Sequence, residues 1–142
     1  MVGGMHWIES LPHQPPMRLL QEVVDVVPGK RAVARRFAIA SDFYFQGHFP
    51  DHPVVPAVIL VELLAQTGGI AVAAPKPGDP VRILQLRIAA IGSFKFPAAA
   101  GPGARLEARA RVAGRMGGLF KIEGDVTADG LLVASGSLTL AG

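Results

Sequence analysis

One run dominates the hydrophobic pattern of the chain. From Ala57 to Ala74 the apolar residues are broken only by Glu62, Gln66, Thr67 and the Gly68–Gly69 pair, and Pro56 and Pro75 bound the run. It predicts a helix apolar on almost every face, which the rest of the chain must cover. The ten residues before it, GHFPDHPVVP (Gly47–Pro56), hold two His and three Pro. Proline lacks an N–H and restricts its predecessor, so this stretch is expected to be a stiff, irregular loop.

On either side the pattern shifts to period two, the signature of strands. Trp7–Leu11 reads as a short helical turn before the Pro-rich LPHQPP. Met17–Val27 begins apolar and continues as a strand through QEVVDVV to a turn at Pro28–Gly29. Lys30–Ala40 sets Ala32, Ala34, Phe37 and Ile39 against Arg31, Arg35 and Arg36 with one slip in phase, which predicts a hairpin partner carrying a bulge. Ser41–Asp42 is expected to cap a turn leading into Phe43, Tyr44 and Phe45. After the central run, PKPGDP is a turn-dense linker. Val81–Ile91 is apolar enough to predict a strand buried on both faces. Arg105–Val112 alternates cleanly, with Leu106, Ala108, Ala110 and Val112 on one face and Arg105, Glu107, Arg109 and Arg111 on the other. A turn over Gly114–Gly118 leads to LFKIEGDVT, and Asp129–Gly130 is a strong hairpin signal before a last strand, Leu131–Leu140. This order predicts an α+β domain in which an antiparallel sheet curls around one helix, with a second copy available to complete its burial.

Composition narrows the function. The 142 residues suit a single domain, 1–142; half are hydrophobic and 18% are charged, which argues against disorder. There is no cysteine, so disulfides, thiolate metal sites and cysteine nucleophiles are excluded. A net charge of +3 permits an acidic partner, but no basic block suggests nucleic acid. The central run nearly matches a membrane span in length; Glu, Gln and two Gly inside it favour a buried helix instead. No charged and then apolar leader is read at the N-terminus, so a cytoplasmic protein is expected.

The candidate chemistry lies in the central segment. His48 sits in the proline-stiffened loop and is suited to hold one orientation as a general base. Glu62 lies about two turns into the helix, where burial is expected to raise its pKa and let it act as an acid. Gln66, four residues on, shares its face and can fix the carboxylate. The N–H groups near Ala57 and Val58 lie at the positive end of the helix. Base, acid and carbonyl-polarising donors are the parts needed to remove a proton α to a carbonyl with loss of a β-hydroxyl. The plainer readings are a structural His48 and a Glu62 paired with Arg36 or Arg87. His13 is expected to be structural, His52 to face solvent or bond the loop, and His6 to lie near a mobile terminus. Asp51 is a candidate helix-approach cap. No HxH or HExxH spacing supports a metal site.

The string GHFPDHPVVPAVILVELLAQTGG closely resembles the (3R)-hydroxyacyl-[acyl-carrier-protein] dehydratases of the FabZ type. IESLPHQPPMRLLQEV and FKFP (Phe94–Pro97) are similar to other segments of that family. The resemblance implies a hotdog fold and no cofactor or metal. It implies that His48 is the base, and that Glu62, fourteen residues on, is the carboxylate assisting departure of the hydroxyl. Gln66 would support that carboxylate, and the N–H of Ala57, where the family usually has Gly, would polarise the thioester. If that position needs φ > 0, the Ala57 methyl would oppose it. Glu rather than Asp at position 62 favours a dehydratase over the related dehydratase/isomerase. The implied partners are an acyl carrier protein and a second copy, because His and Glu come from different subunits in this family; some members form trimers of dimers. Arg35, Arg36, Arg109 and Arg111 are candidates for contacting the acidic carrier. Phe43, Tyr44 and Phe45 are expected in the core, the alternative being the acyl tunnel. Two other functions remain open: a hotdog acyl thioesterase, which needs a carboxylate but not His48, and a non-catalytic acyl-binding subunit.

Overall fold

A computed structural model describes residues 7–142; His6 lies outside them. The strands are β1 (Glu22–Val27), β2 (Arg31–Phe37), β3 (Arg87–Lys95), β4 (Arg105–Met116), β5 (Leu119–Ala128) and β6 (Leu131–Ala141). They form one antiparallel sheet in the order β1-β2-β4-β5-β6-β3. The helix α1 (Ala57–Ala73) packs against this sheet, chiefly on β4 and β2. This is the hotdog arrangement. No helix among the described residues is long and apolar enough to cross a membrane.

The packing follows from residue size. Thirteen of the seventeen residues of α1 are buried. Its large Leu63, Leu64 and Ile70 are wholly buried, while Ala32, Ala34, Ala108 and Ala110 carpet the sheet beneath. Small residues on the sheet admit the bulky helix face, and each buried Leu or Ile contributes about 1.5–3 kcal/mol. The Gly68 interruption has the same cause, since a Cβ there would come within 2.9 Å of the Ile122 side chain on β5. At the β1–β2 turn the Gly29 N–H donates to the Ala71 carbonyl, tying the hairpin to the end of α1. Asp129 (φ 50°) and Gly130 (φ 86°) turn β5 into β6 with two left-handed residues, as a tight hairpin requires.

Several expectations need correction. The apolar stretch at 81–91 is not one strand: Val81–Leu86 is irregular and β3 starts only at Arg87. Nor is β3 covered on both faces. It is an edge strand, and Ile91 is 58% exposed. The turn between β4 and β5 is two residues, Gly117–Gly118, because β4 runs on to Met116 with an irregularity between Val112 and Gly114.

The phase slip in β2 is not resolved by a bulge there, since the irregularity falls in β1 between Val23 and Asp25 and β2 pairs with β4 without a break. Instead Phe37 and Ile39 are exposed and Arg36 turns inward, its side chain only 10% exposed. A buried guanidinium needs partners on every side, and Arg36 has them. Nη2 lies 2.9 Å from Asp42 Oδ1, Nε donates to the Tyr44 hydroxyl and Nη1 to the Leu19 carbonyl. Asp42 therefore does not cap the Phe43–Phe45 turn through its side chain; its Oδ2 accepts from the Ile39 N–H and from Tyr44 Oη. Tyr44 and Phe45 belong to the core, whereas Phe43 is exposed.

Candidate active site

The loop before α1 positions His48 through its main chain. Gly47 has φ 73° and Phe49 φ 54°, so His48 lies between two left-handed residues. For a phenylalanine that conformation is strained, and it is retained only where the surroundings hold it. The His48 N–H donates to the Phe45 carbonyl, the His52 N–H to the Phe49 carbonyl, and the Val55 N–H to the Ala100 carbonyl. The imidazole Nδ1 lies 3.0 Å from the Val54 carbonyl. A carbonyl only accepts, so Nδ1 carries the hydrogen and the neutral ring presents its lone pair at Nε2. The Phe49 ring meets the imidazole edge-on, its centroid 4.7 Å away. His48 thus has its orientation and tautomer set by one loop.

The first turn of α1 leaves the N–H groups of Ala57 and Val58 without intrahelical acceptors. Ala57 is not among the non-glycine residues with positive φ. Its methyl is exposed and imposes no backbone strain, so a glycine is not required for this conformation. The helix has Pro56 at its N-cap position and no side-chain cap, which removes the role expected for Asp51.

Glu62 is held by side chains instead. Gln66 Nε2 donates to Glu62 Oε2 at 2.8 Å and to the Met17 carbonyl at 2.7 Å, while Gln66 Oε1 accepts from the Leu19 N–H. Every polar direction used by this buried amide has one compatible partner, so it cannot flip. Glu62 pairs with neither Arg36 nor Arg87. It is also less buried than expected, its side chain remaining 23% exposed. Beside it stands a residue that the sequence made look structural: His13 Nε2 is 3.4 Å from Glu62 Oε2, and His13 Nδ1 is buried without a hydrogen-bond partner among the described residues. The two residues are 49 positions apart, and only the likeness of the LPH segment to the family marked His13 at all.

Glu62, His13, Gln66 and Arg87 line a cavity of about 320 Å³ whose other walls include Leu11, Leu84, Leu86 and Leu140. Phe43, Tyr44 and Phe45 do not line it, and neither does His48. Within one chain the candidate base and acid are therefore not brought into one cavity. His52 is exposed. Among the described residues no group of three His, Asp or Glu could hold a metal ion.

The family model described as a FabA-like domain matches residues 11–137. The chain is 38% identical over 131 residues to the 3-hydroxyacyl-[acyl-carrier-protein] dehydratase FabZ of Syntrophotalea carbinolica, covering 92% of this chain and 88% of the relative. With the protein of the same name from Myxococcus xanthus it shares 36% over 130 residues, covering 91% and 84%. Among solved structures, the dehydratase heterocomplex ApeI:P from Xenorhabdus doucetiae superposes with a TM-score of 0.74 at 16% identity, covering 94% of this chain and 89% of that one. A mutant of the phenylacetic acid degradation protein PaaI from Thermus thermophilus gives 0.62 at 22% identity, covering 90% and 98%. At those identities the structural likeness bears on the fold alone.

Proposed function

The chain belongs to the FabA-like family, and on that premise we propose that its single domain, residues 1–142, is a (3R)-3-hydroxyacyl-[acyl-carrier-protein] dehydratase. The reaction removes water across C2 and C3 of the thioester to leave a trans-2-enoyl chain, a step of fatty-acid or related lipid synthesis. His48 Nε2 takes the proton from C2, and the N–H of Ala57 stabilises the charge that develops on the thioester oxygen. The C2–C3 double bond forms as the C3–O bond breaks, with protonated Glu62 giving its proton to the departing hydroxyl. Return of the proton from His48 to Glu62 resets the pair. Every proton in this cycle is accounted for by protein groups and water, so it calls for no cofactor or metal. The observation that carries the reading is the His48 ring, held through Nδ1 on the Val54 carbonyl, which leaves its lone pair at Nε2.

Because His48 does not line the cavity that holds Glu62, the reading requires a homodimer in which each base meets the acid of the other copy. The apolar, exposed edge at β3 is suited to that pairing. The carrier protein would deliver the chain in the cytoplasm. Its acidic surface would not be met by Arg36, which is buried. Arg35, Arg109 and Arg111 already lie within 4 Å of Glu22 or Glu107, Glu107, and Glu123 respectively. Arg87, at the cavity and without an ion pair among the described residues, is the better candidate.

The test is to incubate the protein with a 3-hydroxyacyl thioester and follow enoyl absorbance and free thiol separately. Enoyl formation without thiol release is expected. Thiol release without enoyl formation would make the protein a thioesterase, and silence in both channels from a folded dimer would make it an acyl-binding subunit.

A further inference from the structure

We infer that Arg36 is a positioning residue for Glu62, acting through the main chain of Leu19 and the amide of Gln66. The inference rests on the reading of Glu62 as the acid. The connections are continuous. Arg36 Nη1 donates to the Leu19 carbonyl at 2.9 Å, the Leu19 N–H donates to Gln66 Oε1 at 2.9 Å, and Gln66 Nε2 donates to Glu62 Oε2 at 2.8 Å. Arg36 itself is fixed from behind by Asp42 and Tyr44. Leu19 is wholly buried and Gln66 is 1% exposed, so water cannot readily replace a lost partner.

Two arguments make this more than a packing feature. A buried ion pair such as Arg36–Asp42 returns little net stability, because desolvation cancels most of the attraction; stability alone does not account for it. The chain also ends asymmetrically. Glu62 Oε2 receives Gln66 and faces His13, while Oε1 has no hydrogen bond or ion pair among the described residues. The network therefore dedicates one oxygen to support and leaves the other to present its proton to the substrate. Without the Arg36 fork, the Leu19 carbonyl loses its donor, the 17–20 segment loosens against α1, and the Gln66 amide no longer sets the Glu62 rotamer. The thioester donors near Ala57 and the leucine walls of the cavity, Leu11, Leu84, Leu86 and Leu140, lie outside that segment, so turnover falls and substrate affinity does not.

A double-mutant cycle on the intact protein tests this. Arg36→Lys keeps the charge but cannot reach Leu19, Tyr44 and Asp42 together. It is expected to lower kcat about ten- to a hundredfold, with KM nearly unchanged and a cooperative melt. Gln66→Ala should lower kcat similarly, and Arg36→Lys should cost little more in that background. A folded Arg36→Lys protein with normal kcat, or losses that multiply in the double variant, would overturn the inference. If Arg36→Lys does not fold, Asp42→Asn takes its place in the cycle, since it removes the charge that holds Arg36. Glu62→Gln separates the two readings. Full activity there would refute the acid itself and the positioning role with it; an inactive Glu62→Gln beside multiplicative losses would refute the positioning role alone.

Discussion

The two halves of the proposed site are built by opposite means. His48 is held by main chain: two left-handed residues flank it and its ring bonds a carbonyl six residues on. Glu62 sits on a regular helix, where Gln66 one turn on and His13 from the N-terminal segment orient it, Gln66 being held in turn by the Met17 and Leu19 main chain. A side chain placed by backbone tolerates changes in neighbouring side chains but not in neighbouring φ angles. One placed by other side chains has the reverse sensitivity, and substitutions well away from it reach it through hydrogen bonds.

The largest effect comes from deleting either half. His48→Ala and Glu62→Ala are each expected to lower elimination by about 10²–10⁴-fold, the usual worth of a positioned acid or base, with the size-exclusion profile unchanged. Mixing the two inactive proteins should restore activity if the halves meet across subunits, because hybrid dimers then carry one complete site. Failure of the mixture to recover, with subunit exchange demonstrated, would put both halves in one chain. Next in size is Ile91→Lys. A charge at this exposed position on the β3 edge opposes strand pairing between copies, so both the dimer and turnover should be lost while the monomer keeps its circular dichroism. An unchanged dimer would move the interface elsewhere.

A smaller effect separates the halves more sharply. Gly47→Ala adds a methyl that meets nothing within 4 Å, yet φ is +73°. The cost is therefore conformational, about 1 kcal/mol, and should appear as a lower urea midpoint. It should also lower kcat through the base without altering the double-mutant coupling between Arg36 and Gln66. A change in that coupling would mean that loop and network are one unit.

The His48 loop was more legible in the sequence than the surroundings of Glu62, for the same reason. Proline spacing made the His48 loop legible, because proline acts on its own neighbours, and the four-residue step from Glu62 to Gln66 was visible as one helix face. His13 and Arg36 were not legible. His13 reaches Glu62 only after the N-terminal segment folds back along α1. Period-two alternation could show that Lys30–Ala40 slips in phase, but not that Arg36 would absorb the slip by turning inward onto Asp42 and Tyr44. The error at 81–91 was of another kind. Hydrophobicity signals that a strand will be covered; it does not say whether its own chain covers it, and β3 is left bare by the single copy.

The smallest expected effect on turnover concerns the far end of the Glu62 network. Burial, and then the hydrogen bond to Asp42, push Tyr44 from 10.0 up to about 12, against the opposing influence of Arg36. Between those values the unfolded chain ionises its tyrosine while the folded chain keeps the phenol neutral, so the unfolded state binds fewer protons and stability falls as pH rises. The contribution is complete below pH 10 and is lost on approach to pH 12. Its ceiling is about 3 kcal/mol, from roughly two pKa units at 1.36 kcal/mol each. Tyr44→Phe removes this dependence and leaves Arg36 bonded to Asp42 and Leu19. Melting temperatures of the two proteins should therefore converge or cross between pH 10 and 12, the wild type falling faster, while turnover at neutral pH drops only slightly. Parallel melting curves across that range would show that Tyr44 ionises as an ordinary surface phenol. A large loss of turnover would make the hydroxyl, rather than the Arg36–Asp42 pair, the anchor of the network.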